Sequence, residues 1–193
     1  MRKADGSLVE RRPHDYYPTP AWVTRAILPH LVSRLVTSTD VLDPCCGDGA
    51  ILREVGRAVG RGRVLGIEIE IARAEVAAST CTDIPSTVDA LTVEWPRVDL
   101  VVTNPPFSLA MEFVERALAM QHRHGGTTAM LLRLAFLESQ GRAAFHRANP
   151  SDVYVLPKRP SFTGDGKSDS SAYAWFCWGP GRGGRWQVLE VCE

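Results

Sequence analysis

Short apolar runs alternate with stretches of helical period along most of this 193-residue chain, and that alternation constrains the fold more than any other feature. Val41-Leu42, residues 64–68 and residues 98–103 read as strands, the last counted as the fourth. Residues 51–59, 71–78 and 109–123 read as the helices that separate and follow them. A helix between successive strands returns the chain to the same end of a sheet, so the pattern predicts an α/β fold with a mostly parallel sheet and helices on both faces. A first helix over 20–36 is expected, with Thr19 as its cap, Pro20 at its first position and Pro29 as a kink or break. Strands at 127–132 and 153–156, with a helix over 140–148 between them, continue the alternation. The aromatic strand 173–178 and a last strand 186–191 are expected to pair as an antiparallel C-terminal hairpin across the glycine-rich residues 179–184.

Composition narrows the function classes. Hydrophobic residues make up 45% of the chain and no apolar stretch reaches a membrane span, which predicts one globular domain over 1–193 with a full core. Residues 1–14 are polar, lack a signal-peptide core and read as a flexible N-terminus, so a cytoplasmic location is expected. The five cysteines have no C-x-x-C spacing and read as free thiols; the five histidines are scattered, so no metal site is expected. Formal net charge is zero, which is unusual for a protein that wraps nucleic acid through a broad basic surface, so any nucleic-acid contact is expected to be local.

Two motifs carry chemistry. In Val41-Leu42-Asp43-Pro44-Cys45-Cys46-Gly47-Asp48-Gly49-Ala50-Ile51-Leu52, a strand, a glycine turn and a helix follow one another, as where open α/β sheets build a nucleotide pocket at a strand's carboxyl end. No third glycine follows at dinucleotide spacing, which disfavours pyrophosphate. Glu68 ends the next strand about 20 residues on, where a carboxylate can accept from both ribose hydroxyls. Asp89 is the candidate for the adenine amino group of the same ligand, with Asp83 as the competitor. The second motif, Asn104-Pro105-Pro106-Phe107, follows an apolar run. Its prolines fix φ and remove two donors, so Asn104 is presented rigidly, with side-chain and backbone oxygens to accept from a planar amino group and Phe107 to stack on the ring that bears it.

In order and spacing, Asp43 to Gly49, Glu68 and Asn104 to Phe107 resemble the cofactor and catalytic motifs of S-adenosylmethionine-dependent amino-methyltransferases, especially DNA adenine (N6) methyltransferases. The likeness covers about residues 15–178 and implies a Rossmann-like class I methyltransferase fold with a seven-stranded sheet. The implied cofactor is S-adenosyl-L-methionine. Its methionine part would be held by Asp43, Pro44, Cys45, Gly47 and Gly49, its ribose by Glu68 with Ile69, and its adenine by Asp89 with Ala90. Tyr16-Tyr17-Pro18-Thr19-Pro20 is similar to the family's amino-terminal motif, which brings Tyr17, Thr19 and Pro20 to the cofactor carboxylate. Because that motif precedes the glycine turn and Asn-Pro-Pro-Phe follows it, the order resembles the gamma class. Asn104, Pro105, Pro106 and Phe107 would then be catalytic, with Asn104 also touching cofactor, and the target would be a flipped-out adenine of double-stranded DNA.

On the target side, Phe162 is a candidate for the second stacking face, with a loop anchor as the alternative reading. Lys158, Arg159 and Lys167 are candidate phosphate contacts in a loop over 157–171. Tyr173, Trp175, Phe176 and Trp178 read as core. A separate target-recognition domain does not fit into the residues after the aromatic strand, so specificity is assigned to the 157–171 loop, to Arg182-Gly183-Gly184-Arg185, or to a second subunit, as in a small phage- or prophage-like form. Three rivals share the motifs: an RNA amino-methyltransferase, a protein glutamine methyltransferase (typically Tyr at position 107), and a catalytically silent scaffold subunit.

Overall fold

A computed structural model describes residues 16–32, 38–83, 85–162 and 168–191. The elements run α1 (Ala21–Val32), β1 (Val41–Asp43), α2 (Ala50–Val59), β2 (Val64–Gly66), α3 (Ile71–Ala77), β3 (Leu100–Thr103), α4 (Ala110–His124), β4 (Thr127–Arg133), α5 (Ala143–Ala148), β5 (Asp152–Val155), β6 (Tyr173–Trp178) and β7 (Trp186–Val188). They form one seven-stranded sheet of order β2-β1-β3-β4-β6-β5-β7. The pairs β1–β2, β1–β3, β3–β4 and β5–β7 are parallel, and β6 is antiparallel to both β4 and β5.

The central strands are buried on both faces, because successive side chains of a strand point to opposite sides. Ala129 and Leu131 of β4 pack with Val41, Val64, Val102, Trp175 and the α1 and α2 residues Ile27, Leu52 and Val55. Met130 and Leu132 pack on the other side with Leu42, Val101, Phe176 and the α4 residues Phe113, Val114 and Ala117. Tyr173, Trp175, Phe176 and Trp178 are buried as expected of core, and the Trp175 indole donates to the Val23 carbonyl of α1 at 3.0 Å. Helix α1 runs through Pro29 and begins at Ala21, one residue later than expected. Its expected continuation over 33–36 lies outside the described residues, as do 1–14 and Cys192.

Two expectations are corrected. Residues 100–103 form the third strand, because the segment expected to supply an earlier one is reduced to a single parallel bridge between Ile67 and Ser86. The antiparallel pair of the C-terminal part is formed by β5 and β6, whereas β7 lies parallel to β5 at the sheet edge. Asp152 causes this. Its Oδ1 accepts from the Gly183 and Arg185 amides at 3.0 and 3.2 Å, and its Oδ2 from Arg185 Nη2 at 2.7 Å. The glycine loop is thereby folded back across β5 before β7 begins. Arg182 is consumed internally too, donating to the Tyr154 hydroxyl and the His30 carbonyl. Both arginines of Arg182-Gly183-Gly184-Arg185 thus meet Asp152, Arg182 with its side chain buried and Arg185 largely exposed.

Candidate active site

The carboxyl ends of β1, β2 and β3 open into a cavity of about 520 Å³, well within the range of small-ligand sites. Its floor is the glycine turn. Gly47 and Gly49 have φ of 55° and 80°, the left-handed region that glycine enters without penalty. The space at Gly47 is closed as well, since a Cβ there would meet Tyr16 Cε2 at 2.6 Å. The turn is pinned at both ends, by Cys46 N–H donating to the Ile67 carbonyl and Gly49 N–H to the Cys46 carbonyl.

Glu68 is buried and works as a clamp. Its Oε2 accepts from the Gly47 amide at 2.9 Å, and its Oε1 from the Glu70 amide at 2.9 Å and Arg73 Nε at 3.1 Å. Arg73 in turn lies over the Tyr16 ring at 4.5 Å, so the acid that ends β2 also holds an aromatic wall of the cavity. With two donors on Oε1 and one on Oε2, the carboxylate keeps room for a further donor on Oε2. Asp43 is buried beneath the turn, where its Oδ1 accepts from the Cys45 amide at 3.0 Å. Burial pushes its carboxyl up to about 7, against the opposing effect of the Thr103 hydroxyl and the Cys45 amide. Burial likewise pushes the Cys45 and Cys46 thiols up, which keeps both in the unreactive protonated form.

Asn104 follows β3 directly, and its amide orientation is fixed by what surrounds it. Nδ2 donates to the Tyr17 carbonyl at 3.2 Å and to Thr19 Oγ1 at 3.1 Å. The Tyr17 carbonyl can only accept, so nitrogen must occupy that position. Oδ1 is buried and has no hydrogen-bond partner. A buried acceptor left open costs ~1–3 kcal/mol, and this one belongs to a residue that lines the cavity.

Of the residues expected at the cofactor, Tyr17, Thr19, Asp43, Pro44, Cys45, Gly47, Glu68, Ile69, Asp89, Ala90 and Asn104 line this cavity; Pro20 and Gly49 stand behind it. Asp89 lines it and Asp83 does not. The structure adds Tyr16, Arg73, Val88, Leu109 and Phe113. Ile69, Val88 and Leu109 are apolar side chains left 46%, 37% and 38% exposed, a solvent-facing wall suited to a flat ring. Val88 and Leu109 carried no motif, but Val88 adjoins Asp89 and Leu109 lies two residues after Phe107.

The target-side residues divide. Pro106 lines the large cavity, and Phe107 lines a neighbouring one of about 240 Å³ with Ser108 shared between them. The Phe107 ring stacks on Tyr17 (centroids 5.8 Å, 22°) and carries the Arg133 guanidinium 4.6 Å from its centroid. Phe162 is buried, edge-on to Phe107 and Tyr173, and lines neither cavity. This is the loop-anchor geometry: an apolar ring gains more from the Tyr17–Phe107–Tyr173 cluster than from an open site. Lys158 lies over the Trp22 ring and Arg159 is exposed, and neither lines a cavity; Lys167 lies outside the described residues.

Comparison with known proteins places this architecture. No protein-family model matches the chain. Over 88 residues, 42% of its length, the chain is 38% identical to a 4-amino-L-phenylalanine/4-methylamino-L-phenylalanine methyltransferase from Streptomyces pristinaespiralis, of which it spans only 30%. Among solved structures it superposes on a candidate RNA methyltransferase from Pyrococcus horikoshii with TM-score 0.69 and 15% identity, covering 88% of this chain and 91% of that one. It superposes on the methyltransferase subunit of a type I restriction-modification system from Streptococcus thermophilus with TM-score 0.64 and 16% identity, covering 86% and 45%. The fold is the Rossmann-like fold of class I methyltransferases. The cofactor that this fold implies is S-adenosyl-L-methionine. Among the described residues no helix is long and apolar enough to cross a membrane, and no group of three or more His, Cys, Asp or Glu is placed to hold a metal ion.

Proposed function

We propose that this chain is an S-adenosylmethionine-dependent methyltransferase acting on an amino group of a planar ring, specifically the exocyclic 6-amino group of adenine in DNA. The observation that carries the reading is the buried, unpartnered Oδ1 of Asn104, a residue that lines a cavity whose other lining suits a nucleoside. Glu68 and Asp89 offer acceptors for ribose hydroxyls and an adenine amine, and Ile69, Val88 and Leu109 offer apolar cover. The gamma-type motif order and the amide of Asn104 before Pro-Pro support adenine.

When bound, the cofactor supplies an electrophilic methyl group on a sulfonium. The chain supplies orientation and charge stabilisation. An aromatic amine is a poor nucleophile because its lone pair is delocalised into the ring. Asn104 Oδ1 and the Pro105 carbonyl would accept its two N–H groups and so direct the lone pair outward. As the nitrogen gains positive charge these acceptors bind it more strongly, so the stabilisation is greatest in the transition state. Both oxygens are fixed in advance, Oδ1 by the two bonds from Nδ2 and the carbonyl by the proline pair. No covalent enzyme intermediate is needed, in line with the protonated thiols.

The test is transfer of labelled methyl groups to unmethylated duplex DNA, total RNA and cell-extract protein, read by nucleoside and peptide mass spectrometry. Labelled 6-methyladenine in DNA supports the reading; label confined to RNA or protein replaces the substrate; no label and no cofactor binding would favour the scaffold. A second reading, methylation of a free aromatic amine, is favoured by one observation, the name of the Streptomyces relative. Adding 4-amino-L-phenylalanine to the panel tests it.

A further inference from the structure

The smaller cavity beside the proposed target site is walled by two arginines. Arg133 ends β4, and Arg142 stands immediately before α5; both line the cavity with Phe107, Ser108, Met111, Leu132 and Phe136. Each guanidinium lies over an aromatic ring, Arg133 over Phe107 at 4.6 Å and Arg142 over Phe136 at 4.9 Å. The anchoring bonds use Nε alone on Arg133 but both Nε and one terminal nitrogen on Arg142. Arg133 Nε donates to the Tyr173 hydroxyl at 3.4 Å, while Arg142 Nε and Nη2 donate to the Phe136 and Ala135 carbonyls at 2.9 and 3.2 Å. Among the described residues neither arginine forms an ion pair, although Asp169 acts on Arg133 from farther off. The contrast with Arg25, Arg63, Arg73, Arg182 and Arg185 is clear, since each of those meets a carboxylate.

Two half-buried cations thus share one cavity wall: among the described residues Arg142 meets no carboxylate, and Arg133 reaches Asp169 only through the Tyr173 hydroxyl, so the wall is locally positive in a protein of zero net charge. Planar guanidinium groups present paired N–H donors that match the oxygens of a phosphate. We infer that Arg133 and Arg142 bind a backbone phosphate of the DNA strand that carries the target adenine, one next to the flipped nucleotide. This rests on the DNA-adenine reading and supplies the local contact that a neutral protein requires. It places the phosphate contact on residues that line a cavity, which Lys158 and Arg159 do not. Holding the flanking phosphate against the Phe107 wall would bring the extruded base to Asn104 by covalent tether, through Ser108, which borders both cavities.

The experiment measures DNA affinity and methylation for wild type, Arg142→Gln and Arg133→Gln, on duplexes with and without a neutral methylphosphonate at positions flanking the target adenine. Each variant should weaken DNA binding about tenfold and lower the slope of log K against log salt by about 0.9 for each phosphate lost. One methylphosphonate position should weaken wild-type binding to the same degree and add nothing in the Arg142→Gln protein. Retained cofactor affinity shows that a variant is folded. Unchanged salt slopes, or additive effects at every position, overturn the phosphate site while leaving the DNA reading intact. If wild type methylates no DNA, the reading fails and the phosphate site falls with it. If it instead methylates 4-amino-L-phenylalanine but not the corresponding carboxamide, the arginine pair belongs to a carboxylate and the phosphate assignment is overturned.

Discussion

Replacing Asn104 with alanine separates a catalytic acceptor from a structural one, because the two ends of this side chain have opposite effects on stability. Loss of Nδ2 removes the bonds to the Tyr17 carbonyl and Thr19 Oγ1, each contributing about 1 kcal/mol. Loss of Oδ1 removes a buried acceptor with no partner, whose desolvation costs the folded protein ~1–3 kcal/mol. The two nearly cancel, so Asn104→Ala should change stability by no more than about 1–2 kcal/mol, or about 2–8 °C in Tm for a chain of this size. Methyl transfer should fall by about 10²–10³, the usual loss for one preorganised transition-state group. The assays are calorimetry and single-turnover transfer on the same preparation. Asn104→Asp sharpens the comparison: it restores acceptors toward the substrate but sets a carboxylate oxygen against the Tyr17 carbonyl, so it should be less stable than the alanine variant yet more active. Wild-type turnover in Asn104→Ala, or a Tm loss well beyond 10 °C, would refute the argument.

Three further outcomes are expected. Glu68→Ala strands the Gly47 and Glu70 amides and Arg73, so it should weaken cofactor binding by about 1–3 kcal/mol and also lower Tm; isothermal titration of a folded variant with unchanged affinity would remove Glu68 from the ribose site. Asp43 titrates near 7 when folded against 3.8 for the free carboxyl, so the native state holds a proton that the unfolded chain has already lost between those values. Its contribution to stability is therefore greatest at low pH and declines as pH rises from about 4 to 7, by an amount on the order of a few kcal/mol; Asp43→Asn should abolish that slope in denaturant titrations at several pH values. Gly47→Ala combines a left-handed φ with a Cβ 2.6 Å from Tyr16, so it should cost at least ~1–2 kcal/mol and displace Tyr16 from the cavity wall, visible as weaker cofactor binding.

What the sequence disclosed, it disclosed where chemistry is local. The strand–glycine turn–helix, Glu68 at a strand end and Asn104 before two prolines are each short stretches in which residue type and backbone geometry are tied together, and all line one cavity. The position of β7 was hidden because it depends on Asp152 meeting the Arg185 region across 33 residues. A glycine-rich loop between two apolar strands reads as a hairpin unless that acid is known to be buried beside it. Arg133 and Arg142 were hidden for a related reason: each stands at an element boundary with no motif around it, and only the fold brings the two to one cavity wall. Phe162 illustrates the reverse, a residue whose position along the chain suited a target pocket but whose ring is buried among other aromatics.

The lone bridge between Ile67 and Ser86 leaves the β2 edge with a seam in place of a strand. Two bonds at 3.1 Å, Glu68 N–H to the Ser86 carbonyl and Ser86 N–H to the Gly66 carbonyl, close that seam, and Asp89 and Ala90 lie a few residues beyond it on the cavity rim. A ligand spanning from Glu68 to Asp89 would fasten across the seam, much as a rung fastens two rails. The amides of Glu68 and Ser86 should therefore report cofactor occupancy directly in hydrogen exchange, slowing on binding while those of the doubly flanked β3 stay unchanged.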